Sequence, residues 1–183
     1  MGKVILLNIA DLDVSNFIWK LQELLSNKKS NSLPHITLRG PYKRNPNSKI
    51  KAKVQNFVNN IHTAQIDGVG MFANDDDFFV YLKVFIRDLE TISWKKDYPI
   101  KEYGFNPHIT ICKTSDEQYA KKVFNFLNNL NVKVEIKNFD LEIYQLGQKQ
   151  SPLLSQSSTV SDNTLKNHLM RTRRFVKMTG KRL

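Results

Sequence analysis

The chain has 183 residues, 40% of them apolar, a formal net charge of +11 and an isoelectric point near 9.7. That is enough for one domain, or two small lobes sharing a core, and it excludes wholesale disorder; the positive balance favours an anionic ligand such as a nucleotide, RNA or an acidic surface. A lone cysteine, Cys112, excludes an internal disulfide framework and suits a reducing cytosol, while the apolar opening run Val4 to Ala10 stops at Asp11, too short for a signal-peptide core or a membrane span.

Val4 to Ala10 reads as a buried strand bounded by Asp11 and Asp13. Apolar residues then recur at Val14, Phe17, Ile18, Leu21, Leu24 and Leu25, the spacing of one helix face, with Asp13 or Ser15 placed to cap it. A polar loop, Ser26 to Ser32, delivers a strand that opens on Pro34, where a proline owes no ladder hydrogen bond. Pro41 to Ser48 is turn-like, and a second amphipathic helix carries Ile50, Val54, Phe57, Val58 and Ile61. Strands at about 64–72 and 78–84 follow, joined by Ala73-Asn74-Asp75-Asp76-Asp77. Consecutive side chains in a hairpin turn diverge, so the three aspartates read as a solvated loop and not as a metal site.

A weaker helix over Arg87 to Lys96 leads through Tyr103-Gly104-Phe105 to a second strand opening on Pro107. Ser115-Asp116-Glu117-Gln118 forms a capping box for a helix bearing Ala120, Val123, Phe124, Leu127 and Leu130, and strands follow at Val132 to Ile136 and Phe139 to Leu146. Gln150 to Asn163 is a polar loop, and from Thr164 the spacing of Leu165, Leu169, Thr172 and Val176 is helical. From Lys166 onward there are seven basic residues and no acidic one, so the preceding 165 residues carry only +4; this tail suits contact with a phosphate backbone, or simply a solubilising terminal helix.

The organising feature is a phrase said twice. Pro34-His35-Ile36-Thr37 returns as Pro107-His108-Ile109-Thr110. In a strand alternate side chains share a face, so each copy turns its His and Thr one way and its Ile the other. The helices that follow also repeat, 54–61 matching 123–130 at five of eight positions, and both give way to strand pairs. The expected fold is α+β and bilobal: residues 1–150 form two pseudo-twofold-related lobes, each an antiparallel sheet with helices outside, around a groove between the His strands. Residues 151–183 form a loop and a basic, helical tail.

Two imidazoles with ordinary pKa values of about 6.5 can supply a base and an acid at neutral pH, and threonine hydroxyls on the same face can donate to phosphate oxygens. Packing alone would tolerate Val, Leu or Phe where both lobes keep His and Thr. Arg39 lies two residues past Thr37, on the same face if the strand stays regular, and Cys112 takes the equivalent place in the second lobe. Tyr42, Tyr103 and Phe105 flank the motifs and are placed to stack on a base or to close the lobe interface, whereas His62 and His168 have no repeat equivalent and read as surface residues.

With two His-x-Thr strands in duplicated lobes, the sequence resembles the 2H phosphoesterase superfamily, which includes the LigT-like RNA 2'-5' ligases and cyclic phosphodiesterases. The resemblance covers roughly Val4 to Leu146, its specific parts being Leu33 to Tyr42 and Phe105 to Lys113. It implies that His35 and His108 are the catalytic pair, that Thr37 and Thr110 bind phosphate, and that no metal or other cofactor is needed. The implied activity is hydrolysis of a 2'-linked or cyclic phosphodiester in a nucleotide or oligoribonucleotide: a 2'-5' oligoadenylate, a cyclic oligonucleotide signal or a 2',3'-cyclic phosphate. The Asn- and Lys-rich composition suits an AT-rich microbe or a virus, and with it a counter-defence role. The alternatives are an RNA-binding module leaning on the basic tail, or an RNA 2'-5' ligase. The expected setting is a cytoplasmic monomer, in a host cytoplasm if viral, with a nucleotide substrate, RNA on the tail and no membrane contact.

Overall fold

A computed structural model describes residues 2–26, 32–92, 105–147 and 163–179, the stretches 163–165 and 175–179 by their backbone. In chain order the elements are β1 (Lys3–Ile9), α1 (Leu12–Ser26), β2 (His35–Tyr42), α2 (Ser48–Asn59), β3 (Ala64–Asn74), β4 (Asp77–Phe85), β5 (His108–Thr114), α3 (Glu117–Leu130), β6 (Lys133–Ile136), β7 (Phe139–Gln145) and α4 (Asn163–Thr179). The strands form two antiparallel sheets, ordered β2-β1-β7 and β5-β4-β3-β6.

The bilobal α+β architecture stands as the repeat implied, but the lobes are not consecutive halves of the chain. β6 and β7 do not pair with each other: β6 lies on β3, with Ala64 opposite Ile136, and β7 returns to β1, with Leu6 opposite Glu142. Lobe one is therefore closed by the last strand. Local pattern cannot reveal this, because strand pairing is a long-range choice.

One face of each sheet turns into a common core. Ile5, Leu7 and Ile9 of β1, Ile36 and Leu38 of β2, Val80, Leu82 and Val84 of β4, and Ile109 and Ile111 of β5 are all buried there. The alternation that buries the isoleucines of the two motifs is what turns their histidines and threonines the other way.

Helix α1 joins the lobes. It follows β1 in sequence yet packs on β5 and α4 as well as on β1, burying Phe17, Ile18, Leu21 and Leu25. At its last turn the Leu25 carbonyl accepts from both Tyr119 Oη, at 2.8 Å, and Cys112 Sγ, at 3.5 Å, so elements of lobe two satisfy a helix-end acceptor of lobe one.

Several local expectations change. α1 starts at Leu12, so neither Asp13 nor Ser15 caps it; Ser15 sits inside the first turn and donates to the Ile9 carbonyl at 2.6 Å. The cap of α3 is Asp116, whose carboxylate accepts from the Tyr119 N–H, and not Ser115. β2 runs through Pro41 to Tyr42 into what read as a turn, and the hairpin between β3 and β4 tightens to Asp75-Asp76, with Asp75 at positive φ. Over 87–92 only a 3-10 turn, Leu89–Thr91, forms; residues 93–96 of that expected helix, and the expected loop over 150–162, lie outside the described residues. Among the described residues no helix is long and apolar enough to cross a membrane.

Burial pushes the Tyr119 phenol up to about 12, helped by the charges of Cys112 and Asp116. A phenol held neutral by the fold stabilises below its unfolded value near ~10 and loses that contribution as pH rises through the folded value. Thermal melts should show Tyr119→Phe costing about 1 kcal/mol at neutral pH, the worth of the hydrogen bond to Leu25. The gap to wild type should narrow between pH 10 and 12; a gap unchanged across that window would refute the role given to the hydroxyl.

Candidate active site

Both histidine strands begin with the same backbone arrangement. The carbonyl of each proline starts the ladder: Ile9 N–H donates to Pro34 and Val84 N–H to Pro107, both at 2.9 Å. The carbonyl one residue earlier meets the imidazole instead, with His35 Nδ1 2.7 Å from the Leu33 oxygen and His108 Nδ1 2.8 Å from the Asn106 oxygen. A carbonyl can only accept, so each Nδ1 carries the proton and each Nε2 holds the lone pair of the neutral ring.

Among the described residues β2 and β5 each pair with one strand, so both are sheet edges, and they approach each other. Between them lies a groove of about 300 Å³ whose lining includes His35, Thr37, His108, Thr110, Gln22, Ser26, Ser32 and Lys113. The four residues singled out in the two motifs are thus brought together. The volume suits one nucleotide unit and its linkage, at the small end of ligand pockets.

Neither strand stays regular beyond its threonine. In β2, Thr37 stands opposite Leu6 but Arg39 stands opposite Ile5; in β5, Thr110 stands opposite Tyr81 but Cys112 stands opposite Val80. The extra residues, Leu38 and Ile111, are bulges at equivalent points of the repeat, and a bulge reverses which face later side chains take. Arg39 is accordingly half-buried off the groove with Nε out of water, and Cys112 is buried against α1. Among the described residues the cation that lines the groove is Lys113, held 2.8 Å from Asp77 and 5.3 Å over the Phe79 ring. Its repeat equivalent in lobe one is Gly40, at φ +129. Of the three aspartates, Asp75 and Asp76 form the turn and Asp77 opens β4, and among the described residues no His, Cys, Asp and Glu group of three or more is arranged to hold a metal.

The two imidazoles have different neighbours. His35 pairs across β1 with Asn8, a polar residue only 1% exposed, whose amide donates to Glu142 at 2.7 Å. Burial lowers the His35 pKa below the ordinary imidazole value; the Leu33 carbonyl and the Glu142 charge pull it back only in part. His108 packs against Tyr81, centroids 4.7 Å apart, and meets Phe72 edge-on at 5.7 Å. Tyr81 is itself fixed, its hydroxyl accepting from Asn106 Nδ2 at 2.6 Å and its ring lying across Gly70, where a Cβ would come within 2.2 Å of it.

Gln22 reaches the groove from α1. Its Nε2 donates to the Thr110 carbonyl on the open edge of β5 at 2.7 Å, which fixes the amide's orientation and leaves a buried Oε1 with no partner among the described residues. A buried acceptor in a binding groove is satisfied when a ligand hydroxyl or amine donates to it. Ser26 and Ser32 close this side, and Trp19 Nε1 donates to the Ser32 carbonyl at 2.6 Å.

The remaining candidates lie elsewhere. Tyr42 ends β2 opposite Lys3 and packs on the core, and Phe105 is 38% exposed without lining the groove. Tyr103 lies outside the described residues. His62 is exposed, while His168, expected at the surface, is half-buried with its ring 5.9 Å from that of Phe17.

A family model described as the 2'-5' RNA ligase superfamily matches residues 10–148. No curated protein matches the chain.

Gly70→Ala should leave a folded protein whose Tyr81 ring has shifted and whose turnover has fallen about 10²-fold, the scale of a catalytic group misplaced by an ångström. Wild-type turnover from folded Gly70→Ala would remove Tyr81 as the support of His108. The acid limb of kcat/KM should lie below the ordinary imidazole value, and Glu142→Gln, which removes one upward influence on His35, should move it lower still. Because the folded pKa is depressed, stability should fall as pH drops from ~6.5 through the folded value. A limb that moves upward in Glu142→Gln would contradict the assignment.

Proposed function

The chain belongs to the 2'-5' RNA ligase superfamily, and from that membership and the groove we propose that it is a phosphodiesterase that hydrolyses a 2'-linked or cyclic phosphodiester of a nucleotide or oligoribonucleotide without a metal. Superfamily membership supports a phosphoesterase or ligase type of activity; the finer reading rests on the two imidazoles, each with Nδ1 on a backbone carbonyl, facing one groove with two threonines.

In this reading His35, kept neutral by burial, is the base. Its Nε2 takes a proton from water as the water oxygen bonds to phosphorus. His108, entering protonated, gives its Nε2 proton to the ribose oxygen as the P–O bond breaks. One proton is accepted and one delivered, and exchange with solvent resets the pair. Thr37 and Thr110 donate to the non-bridging oxygens, and Lys113 adds a positive charge on the lobe-two side. The sealing reaction of a ligase uses the same groups in reverse, so the site accommodates either direction and the supply of water or of a ribose hydroxyl decides between them.

The test is a panel of substrates in EDTA: a 2',3'-cyclic nucleotide, a 2'-5' oligoadenylate, a 3'-5' oligoribonucleotide and cyclic di- and trinucleotides. Wild type should turn over at least one member with a bell-shaped pH profile, and His35→Ala and His108→Ala should each lose about 10²–10⁴-fold while keeping the wild-type melting profile. Turnover that appears only on adding a divalent metal would end the two-histidine mechanism.

A further inference from the structure

Helix α4 presents a second, quite different surface. Successive helical residues are turned by about 100°, so the fully buried Thr172 marks the inward direction. His168 and Leu169 flank it, His168 against Phe17 of α1 and Leu169 against the core. On the opposite side Lys166, Met170, Arg171, Arg173 and Arg174 are all exposed. Counted around the axis, the four cations occupy an arc of roughly 160° and extend over about 12 Å. None of the four makes an ion pair among the described residues, and the sequence from Lys166 to its end contains no acidic residue.

We propose that this outward face of α4 binds the phosphate backbone of a single RNA strand, as a docking surface separate from the groove. The choice of RNA as the polyanion rests on the nucleotide chemistry proposed for the groove. Four unpaired cations on one rigid face match a row of phosphates by charge and make contacts that carry no base preference. An anionic membrane is the rival polyanion. A helix that lies in a membrane needs a free apolar face beside its charged one, whereas over residues 166–174 of α4 Leu169 is turned onto the core and Met170, 64% exposed, is the one large apolar side chain outside. The surface would favour oligomeric over mononucleotide substrates by holding the strand near the groove.

The experiment follows fluorescence anisotropy of a fluorescein-labelled 20-nucleotide 2'-O-methyl RNA, which contains neither a 2'-linked nor a cyclic phosphodiester, across a salt series with the full-length protein. Wild type should bind with a log–log salt slope of about −3, given about 0.7 per phosphate contact on single strands. Arg171→Ala/Arg173→Ala/Arg174→Ala should flatten the slope by about 2 and weaken binding at low salt at least tenfold, with an unchanged melt. If the triple variant melts early, Arg173→Ala and Arg174→Ala singly carry the test, each flattening the slope by about 0.7. Wild-type affinity and slope in the folded triple or single variants would overturn the proposal, as would no RNA binding by wild type. Arginine-dependent binding to vesicles containing phosphatidylserine, with none to RNA, would replace it with the membrane reading. His35→Ala should bind the RNA as wild type does. Intact RNA binding with no turnover of any panel substrate would sink the catalytic reading alone, and turnover without RNA binding would sink this one alone.

Discussion

The site depends on two short hydrogen bonds from imidazole Nδ1 to the carbonyl two residues back, at Leu33 and at Asn106. The proline between carbonyl and histidine makes this possible in both strands. It has no N–H, and it holds the residue before it in extended backbone, so the carbonyl of that residue is turned toward the ring while the carbonyl of the proline joins the ladder. A carbonyl partner fixes the tautomer without adding a full negative charge beside the ring. With Nδ1 so occupied, each imidazole presents Nε2 as the one ring atom at which a proton can be taken or given.

A groove between two sheet edges has a cost in unpaired backbone, and α1 meets part of it at Thr110. Gln22 donates to the Thr110 carbonyl on the open side of β5, while Tyr119 and Cys112 of lobe two hold the Leu25 carbonyl at the helix end. The helix that follows the first strand of lobe one thus positions the histidine strand of lobe two. Both histidine faces are set by one continuous core, from Ile5 and Leu7 on one side to Val80 and Leu82 on the other.

The doubled Pro-His-Ile-Thr phrase, the amphipathic helices and the α+β class were legible in the sequence because they are local patterns with a fixed period. The bulges at Leu38 and Ile111 were not, since nothing in the residue types there breaks the alternation, and a one-residue shift is enough to exchange Cys112 for Lys113 on the groove face and to turn Arg39 off it. Gln22 was invisible for another reason: on α1 it reads as one more polar residue, and only the long-range packing of α1 on β5 brings it to the groove. The return of β7 to β1 belongs to the same class, a pairing decided by which apolar faces find each other and not by the segments themselves.

Twin backbones with unlike surroundings are what a base and an acid require. Two imidazoles in identical environments would share a single proton equally, so that neither ring would be set as the neutral or the charged one. Here the repeat supplies the same strand, proline and carbonyl twice, and the neighbours separate the roles: His35 is desolvated beside the Asn8–Glu142 pair, and His108 sits among Tyr81 and Phe72 with Lys113 on the same strand. In lobe one the position equivalent to Lys113 is Gly40, so among the described residues the groove's cation stands on the lobe-two side. In the proposed hydrolysis this asymmetry would give the reaction a direction, with water activated on the His35 side and charge on the departing oxygen met on the side of His108 and Lys113. Beyond Lys113, which lies over the Phe79 ring, the rings of Phe79 and Phe72 stack 5.0 Å apart on the lobe-two side. Duplication supplied the twin geometry of the site, and divergence of the neighbours made its two sides unlike.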